Sequence, residues 1–303
     1  MSAMAAWIDA LRIRQWHKNL LVLVPLVFAF RLPDPESVRR SVLLCAAFCL
    51  ASSGIYLVND LMDRDLDRGH PLKKRRAIAA GNIDPGAAGA MALILLVTGP
   101  AISAFFVSLA ATRIMLCYFV VQLIYNFLCR GVAAADVVTI ALGFVLRAVA
   151  GAVAIGVPFS EWLILCTFFG AVRLAIGKRQ AEVHAGRTGL RRGWGSLGWE
   201  AVSETEITII GAMTSSVLLV AYAFYCFTSR TAGLVMSGGS LWIPPLLLSL
   251  QVVFFGVVRY ELVASAGRAG DPELLPFQDK PLSIALLGWL AVSFAALYLW
   301  RSV

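Results

Sequence analysis

The chain has 303 residues, of which 59% are hydrophobic and 15% are charged, and its formal net charge is +8. The apolar fraction is high for a soluble domain, and apolar stretches recur along the whole chain, which predicts one membrane domain over residues 1–303. The basic residues lie between the apolar stretches, so the pattern favours a lipid bilayer as partner and excludes nucleic acid.

The first predicted element is an amphipathic interfacial segment over residues 1–18, which carries Trp7, Leu11 and Trp16. About nine transmembrane helices follow, so the predicted fold class is all-α and polytopic. Their predicted ranges are 19–32, 41–58, 86–107, 112–129, 134–157, 160–177, 206–228, 240–260 and 281–300.

Lysine and arginine concentrate in the N-terminal segment and in the loops that follow every second predicted span. Because basic residues are enriched in cytoplasmic loops, this bias predicts a multi-pass protein of the inner (cytoplasmic) membrane with a cytoplasmic N-terminus. The segments 59–82 and 178–205 then lie on the cytoplasmic side, where we expect them to form the active-site loops.

The loop after the second span carries an ordered row of acids. On a helix, the spacing of Asp60, Asp63 and Asp67 places them on one face. Three carboxylates at that density repel one another unless a cation lies among them, and hard oxygen ligands suit Mg²⁺. The alternative is an ordinary charged loop beside a membrane helix, although such loops usually carry no ordered carboxylate row.

Basic residues accompany this acidic row. His70, Lys73 and Arg76 follow it closely and are suited to bind the oxygens of a diphosphate. After the sixth span, Lys178 and Arg179 stand beside Glu182. One carboxylate with two cations is a poor cage for a divalent metal and a good cradle for phosphate oxygens.

The pattern N-D-x-x-D-x-x-x-D-x-x-H-P-x-K-x-x-R over residues 59–76 resembles the first motif of the UbiA superfamily of intramembrane prenyltransferases. Ala77 departs from that motif, in which proline usually follows the arginine. Residues 14–19 resemble the family's R-Q-W-x-K-N segment, and residues 125–136 resemble its Y-x-x-x-L-K-x-x-x-x-x-D segment. The G-K-R-x-x-E pattern over residues 177–182 is similar to a narrower branch, the decaprenyl-phosphate phosphoribosyltransferases.

The resemblance implies a Mg²⁺-dependent enzyme that moves the 5-phosphoribosyl group of phosphoribosyl pyrophosphate to a polyprenyl (decaprenyl) phosphate and releases pyrophosphate. It implies Asp60, Asp63 and Asp67 as metal ligands and catalytic residues, assisted by Asn59. The residues that it implies for substrate binding are Lys18, His70, Lys73, Arg76, Tyr125, Arg130, Asp136, Arg147, Lys178, Arg179 and Glu182.

Two other functions stay open at this stage. A prenyltransferase would move a prenyl group from a prenyl diphosphate to an aromatic or other small acceptor, but such enzymes usually carry a second D-x-x-x-D motif after the sixth helix. A transporter would use intramembrane charges as an ion path. Homo-oligomerisation is also left open.

Two arginines fall inside predicted spans. Arg147 is expected to face a cavity and bind the lipid phosphate, with a structural pair to Asp136 as the alternative. Arg173 departs from the branch pattern, and a role in helix packing or snorkelling is expected for it.

Overall fold

A computed structural model describes residues 2–69, 73–129, 132–158, 160–186, 198–228, 245–272 and 274–299. Within these ranges every regular element is a helix and no residue is in a strand, which confirms the predicted all-α class. The chain divides into two compact units. Unit 1 comprises residues 1–126 and 146–158, and unit 2 comprises residues 127–145 and 159–303.

Unit 1 contains the N-terminal helices and the Asp-rich segment. Its α-helices are α1 (Ala3–Ala10), α2 (Val24–Phe28), α3 (Pro35–Met62), α4 (Arg64–Arg68), α5 (Pro85–Phe106) and α6 (Leu109–Ile124). Short 3-10 helices cover Ile13–Leu23 and Lys73–Arg75. The last part of α7 (Ala135–Ala154) also belongs to this unit.

Local sequence explains where the long helices of unit 1 begin. Asp34 and Asp84 each cap a helix by accepting a hydrogen bond from a backbone N–H in its first turn, and proline follows each of them. Ser108 caps α6 in the same way. Short polar side chains satisfy otherwise unpaired N–H groups at a helix start, and proline is pre-organised for the first helical position.

Small residues let the helices of unit 1 approach closely. A Cβ atom added to Gly99 of α5 would lie 2.8 Å from the carbonyl oxygen of Ala47 in α3, and one added to Gly151 of α7 would overlap that of Val22. Such contacts bring backbones together inside a membrane, where packing rather than water exclusion holds helices together. A core around Leu44, which includes Phe48 and Met115, fills the same unit.

Unit 2 contains the first part of α7 and the C-terminal helices. These are α8 (Glu161–His184), α9 (Glu204–Thr228), α10 (Leu248–Ser265), α11 (Leu275–Gln278) and α12 (Lys280–Phe294). Trp199–Ala201 and Pro245–Leu247 are 3-10 helices, and Ala295–Leu299 is a π-helical turn. A second π-helical turn, Tyr125–Cys129, begins in unit 1 and ends in unit 2. A buried cluster with Val137, Ile176 and Trp199 joins α7 to α8 and the segment after it.

Seven helices of the described residues are long and apolar enough to cross a membrane. Their ranges are Pro35–Met62, Pro85–Phe106, Leu109–Cys129, Ala135–Ala154, Glu204–Thr228, Leu248–Ser265 and Lys280–Tyr298. The protein is therefore a multi-pass integral membrane protein, as expected, whereas the count of nine stays a prediction. The sixth predicted span, 160–177, coincides with the long but more highly charged α8.

The structure differs from the prediction at the first span, 19–32. A 3-10 helix leads into the five-residue α2 there, and Phe30 ends the turn with a positive φ of 58°. In the preceding segment, Trp16 donates to Ser53 Oγ of α3 at 3.0 Å, a contact that the amphipathic pattern did not predict. The α1 helix itself exposes Met4 and Ile8, in keeping with an interfacial position.

Candidate active site

The Asp-rich segment is not one continuous helix. Helix α3 ends at Met62, and Asp63 joins it to the short helix α4. Asp60 and Asp67 are buried, with 5% and 3% of their surface exposed, whereas Asp63 at the junction is half-buried. The break therefore separates the middle aspartate from the two that point inward, which local periodicity did not predict.

Asp60 and Asp67 form a cluster with two arginines, here called the acid–arginine cluster (Arg12, Asp60, Asp67 and Arg76). Arg76 Nη1 donates to Asp60 Oδ1 at 3.0 Å and to Asp67 Oδ2 at 2.7 Å. Arg12 Nη2 donates to the same oxygen of Asp60 at 2.6 Å. The guanidinium groups thus offset the repulsion between the carboxylates that the spacing implied.

Arg12 was not among the predicted site residues. Its backbone is left-handed, with φ 51° and ψ 45°, which costs a non-glycine residue on the order of 1 kcal/mol. Its guanidinium also lies 4.7 Å from the centre of the Tyr56 ring, a cation–π contact. Arg12 and Asp60 are 48 positions apart, so no local spacing could have revealed the pair.

The described residues contain no group of three or more His, Cys, Asp or Glu side chains placed to hold a metal ion. The predicted set of Asp60, Asp63 and Asp67 is therefore not assembled as a three-carboxylate cage. Asp60 and Asp67 do converge on one nitrogen of Arg76. Because Mg²⁺ is usually held by one or two carboxylates plus substrate phosphates, this buried pair fits Mg²⁺ without a third acid.

An amide pair lies immediately beside the acid–arginine cluster. Asn59 precedes Asp60 in α3, and its Oδ1 accepts a hydrogen bond from Asn126 Nδ2. Asn126 is the second residue of the π-helical turn Tyr125–Cys129, and the predicted substrate residue Tyr125 begins that turn, half-buried. The pattern Y-x-x-x-L-K had singled out Tyr125 and left Asn126 unnoticed.

The remaining predicted residues near the N-terminal motifs have varied positions. Lys18 Nζ donates to Gln15 Oε1 at 3.4 Å, and Lys73 begins the 3-10 turn that leads to Arg76. His70 and Arg130 lie outside the described residues. The structure therefore adds no contact for these last two predictions.

Arg147 is buried in α7, with 4% of its surface exposed. Its Nε donates to Asn19 Oδ1 at 2.7 Å and its Nη2 to the Tyr118 hydroxyl at 2.8 Å, while its guanidinium carbon lies 4.5 Å from the centre of the Tyr118 ring. Asn19 also donates to Ser52 Oγ at 3.2 Å. A buried polar network thus orients the guanidinium inside a membrane helix, where an arginine is costly and usually functional.

A second group of charges occupies unit 2 and is here called the Arg179 cluster (Asp136, Arg179, Glu182 and Trp199). Arg179 Nε donates to Asp136 Oδ2 at 3.0 Å, and its Nη1 donates to Glu182 Oε2 at 2.6 Å. Trp199 Nε1 donates to the other oxygen of Asp136 at 3.0 Å. Asp136 is fully buried and Arg179 is 2% exposed.

These contacts change the expected role of Arg179. The sequence pattern predicted a phosphate clamp of Lys178 and Arg179 with one carboxylate, but Arg179 uses two of its nitrogens on two carboxylates. Lys178, the neighbouring cation, is half-buried. Trp199 lies 63 positions from Asp136 and was not predicted, since a lone tryptophan near an interface carries no distinctive signal.

Arg173 has a defined partner in unit 2. Its Nε and Nη2 donate to the two oxygens of Glu261 in α10, at 2.6 and 2.7 Å, and it is only 3% exposed. The expectation of snorkelling was therefore wrong, while the helix-packing role is confirmed. A bidentate arginine–carboxylate pair is the arrangement that lets two charges remain inside apolar surroundings.

Comparisons of the whole sequence point to one family. The profile of the UbiA prenyltransferase family matches residues 20–278. The decaprenyl-phosphate phosphoribosyltransferase of Mycolicibacterium smegmatis is 33% identical over 299 residues, which cover 96% of this chain and 92% of that protein. The proteins of the same name in Mycobacterium tuberculosis and Corynebacterium glutamicum are 31% and 32% identical, with coverage of 94% and 86% of their lengths.

Solved structures have the same fold. A UbiA homologue from Archaeoglobus fulgidus bound to DMAPP and Mg²⁺ superposes with a TM-score of 0.66 at 19% identity, over 96% of this chain and 98% of that one. Another structure of a UbiA homologue from that organism gives a TM-score of 0.68 at 18% identity, over 96% and 99% of the two chains. At these identities the likeness concerns the fold.

Proposed function

Because this chain belongs to the UbiA prenyltransferase family, we propose that it transfers the 5-phosphoribosyl group of phosphoribosyl pyrophosphate to a polyprenyl phosphate and releases pyrophosphate. The observation that carries the proposal is the full-length similarity to proteins named decaprenyl-phosphate phosphoribosyltransferase, at 31–33% identity. The chain is a membrane transferase of that family, and the proposal specifies what it transfers.

The acid–arginine cluster suits the departure of pyrophosphate from ribose C1. Asp60 and Asp67 would hold Mg²⁺, which when bound supplies positive charge to the leaving group. Arg12 and Arg76 stand beside both carboxylates and offer further N–H groups to phosphate oxygens. Their side chains are 23% and 27% exposed, so a polar substrate can reach them.

The acceptor needs an anion-binding group but no general base, because a polyprenyl phosphate is already ionised. Arg147 is the residue that we assign to this lipid phosphate. Asn19 and Tyr118 orient its guanidinium through neutral hydrogen bonds, so these two partners leave its positive charge intact. Removing Arg147 would therefore affect use of the lipid more than use of the sugar.

The absence of a second aspartate motif favours the phosphosugar as donor. The D-x-x-x-D motif expected in a prenyl-diphosphate enzyme is replaced after residue 177 by Lys178, Arg179 and Glu182. Of these, Lys178 is the residue that we assign to a phosphate of the donor, while Arg179 holds Asp136 and Glu182 in place. Phosphoribosyl pyrophosphate carries a 5-phosphate that a prenyl diphosphate lacks.

The distribution of basic residues further supports an inner-membrane location with the N-terminus and residues 59–82 facing the cytoplasm. This is the side on which a water-soluble phosphosugar is available. Labelling with an impermeant thiol reagent in intact cells tests the orientation, in a background whose native cysteines have been replaced. A thiol introduced by Asp65→Cys should react only after the membrane is opened.

The decisive test is incubation of membranes that contain the protein with radiolabelled phosphoribosyl pyrophosphate, a polyprenyl phosphate and Mg²⁺. The expected result is label in the organic phase, lost on chelation of the metal and in the Asp67→Asn variant. A parallel incubation supplies labelled prenyl diphosphate with an aromatic acceptor. Transfer in the second incubation and none in the first would replace the proposal with prenyl transfer.

A further inference from the structure

Asn126 carries a buried hydrogen-bond acceptor that no residue in the described part of the chain satisfies. Its Nδ2 donates to Asn59 Oδ1, but its own Oδ1 is buried and accepts no hydrogen bond from any residue in the described part of the chain. Buried polar atoms in folded proteins almost always have a partner. The missing partner of this oxygen must be a hydrogen-bond donor or a cation supplied from outside those residues.

The position of Asn126 restricts what that partner is. Asn126 is joined through Asn59 to the helical turn that ends in the acid–arginine cluster, where Asp60 is the next residue. It also lies in the π-helical turn Tyr125–Cys129, and such turns occur frequently at functional sites. The orphan oxygen therefore belongs to the surroundings of the cluster assigned to the donor substrate.

The chemistry of the substrates further limits which group can be the hydrogen-bond partner of Asn126 Oδ1. Ionised phosphate oxygens are acceptors and cannot donate to an amide oxygen, and a prenyl chain offers no donor at all. The ribose ring of phosphoribosyl pyrophosphate carries two free hydroxyl groups, at C2 and C3, and each is a donor. Of the groups that the proposed reaction brings in, these hydroxyls are the neutral donors.

We propose that Asn126 is a specificity-determining residue whose Oδ1 accepts a hydrogen bond from a ribose hydroxyl of the donor. The inference rests on the proposed function and deepens it, because it identifies a contact that selects a sugar over a prenyl diphosphate. Asn59 has the positioning role in this arrangement, since its carbonyl oxygen holds the amide nitrogen of Asn126 and so directs the opposite end of the amide.

The test pairs protein variants with substrate analogues that lack one hydroxyl. With wild-type protein, one of the two analogues, 2-deoxy or 3-deoxy, should have a kcat/KM about tenfold below that of the natural donor, which is the effect of one neutral hydrogen bond. Asn126→Leu should show a similar loss of kcat/KM with the natural donor. It should show no further loss with the analogue that the wild-type protein uses poorly. Asn126→Ala serves as a second variant of smaller volume, and Gln122→Leu, one turn earlier on α6, is the matched control that keeps the wild-type discrimination.

Three outcomes overturn the inference. If each analogue lowers kcat/KM by the same factor in the Asn126 variants as in wild type, this oxygen contacts no ribose hydroxyl. A raised half-saturating Mg²⁺ concentration in Asn126→Leu, without a change in analogue discrimination, would assign the oxygen to the metal. If wild-type protein fails to use phosphoribosyl pyrophosphate at all, the proposed function itself fails, and that result is visible before any variant is made.

Discussion

The acid–arginine cluster of unit 1 and the Arg179 cluster of unit 2 use the same residue types but differ in exposure. In the first, Arg12 and Arg76 are 23% and 27% exposed around two buried aspartates. In the second, the side chain of Arg179 is 3% exposed and that of Asp136 is fully buried. Partners of a water-accessible arginine can be exchanged for ligand oxygens, whereas those of a sealed pair cannot without a large desolvation cost. The comparison suggests a binding role for the first cluster and a scaffolding role for the second.

The largest expected effect tests the scaffolding role. Asp136→Asn removes the buried one of the two carboxylates that pair with Arg179 and leaves Glu182 as its partner. Removing one partner of a buried ion pair costs up to about 3–5 kcal/mol. We expect a marked fall in the melting temperature of the detergent-solubilised protein, together with loss of activity. Glu182→Gln is the control, because Glu182 is 25% exposed and should be less costly to change. An unchanged melting temperature for Asp136→Asn would show that the buried pair of Asp136 and Arg179 does not stabilise the fold.

Asp67→Asn tests the binding role of the other cluster. We expect turnover to fall by about 10²–10³, the usual effect of losing one electrostatic contact to a developing charge, while the melting temperature changes little. Asp65→Asn is a matched control in the same short helix, because Asp65 is 76% exposed and pairs only with neighbouring surface arginines in the described residues. Wild-type turnover in Asp67→Asn would remove this aspartate, and the magnesium site proposed on it, from the mechanism.

Arg12→Gln should have an intermediate effect. The substitution removes a charge-assisted hydrogen bond, which contributes about 1.5–3 kcal/mol. We therefore expect the KM for the donor to rise roughly 10- to 100-fold. Arg14→Gln, two residues away, controls for the loss of one positive charge from the N-terminal segment. A normal donor KM with a lowered melting temperature would instead make Arg12 a purely structural counter-ion of Asp60.

The smallest effect is expected at Asp279, which caps α12 and pairs with Arg259 at 2.7 Å. The hydrogen bond from Arg259 lowers the pKa of Asp279 below its usual value. A depressed carboxyl pKa contributes stability that is present above the unfolded pKa and is lost as pH falls through the folded pKa. Asp279→Asn should therefore reduce the melting temperature slightly at neutral pH and not at strongly acidic pH, with Asp34→Asn as a second capping variant for comparison.

Much of the local structure was predictable because its causes are local. The apolar stretches and the Asp–Pro and Ser signals determine where long helices run and begin, and seven of the predicted spans coincide with apolar helices of spanning length. The candidate site was predictable as a set of motifs, since Asp60, Asp67 and Arg76 lie within one short segment. Asp63 lies where the helix breaks, a feature that periodicity cannot detect, and its role as a metal ligand stays a prediction.

The sequence by itself determined an all-helical membrane protein and the chemical types that its charged loops present, because hydropathy and motif spacing act over a few turns of chain. Only the tertiary structure decided which charges meet: Arg12 with Asp60, Arg179 with Asp136, and Arg173 with Glu261, at separations of 48, 43 and 88 residues. Pairing between residues so far apart in sequence depends on helix packing and on the need to neutralise buried charge. Neither can be deduced from a local sequence pattern.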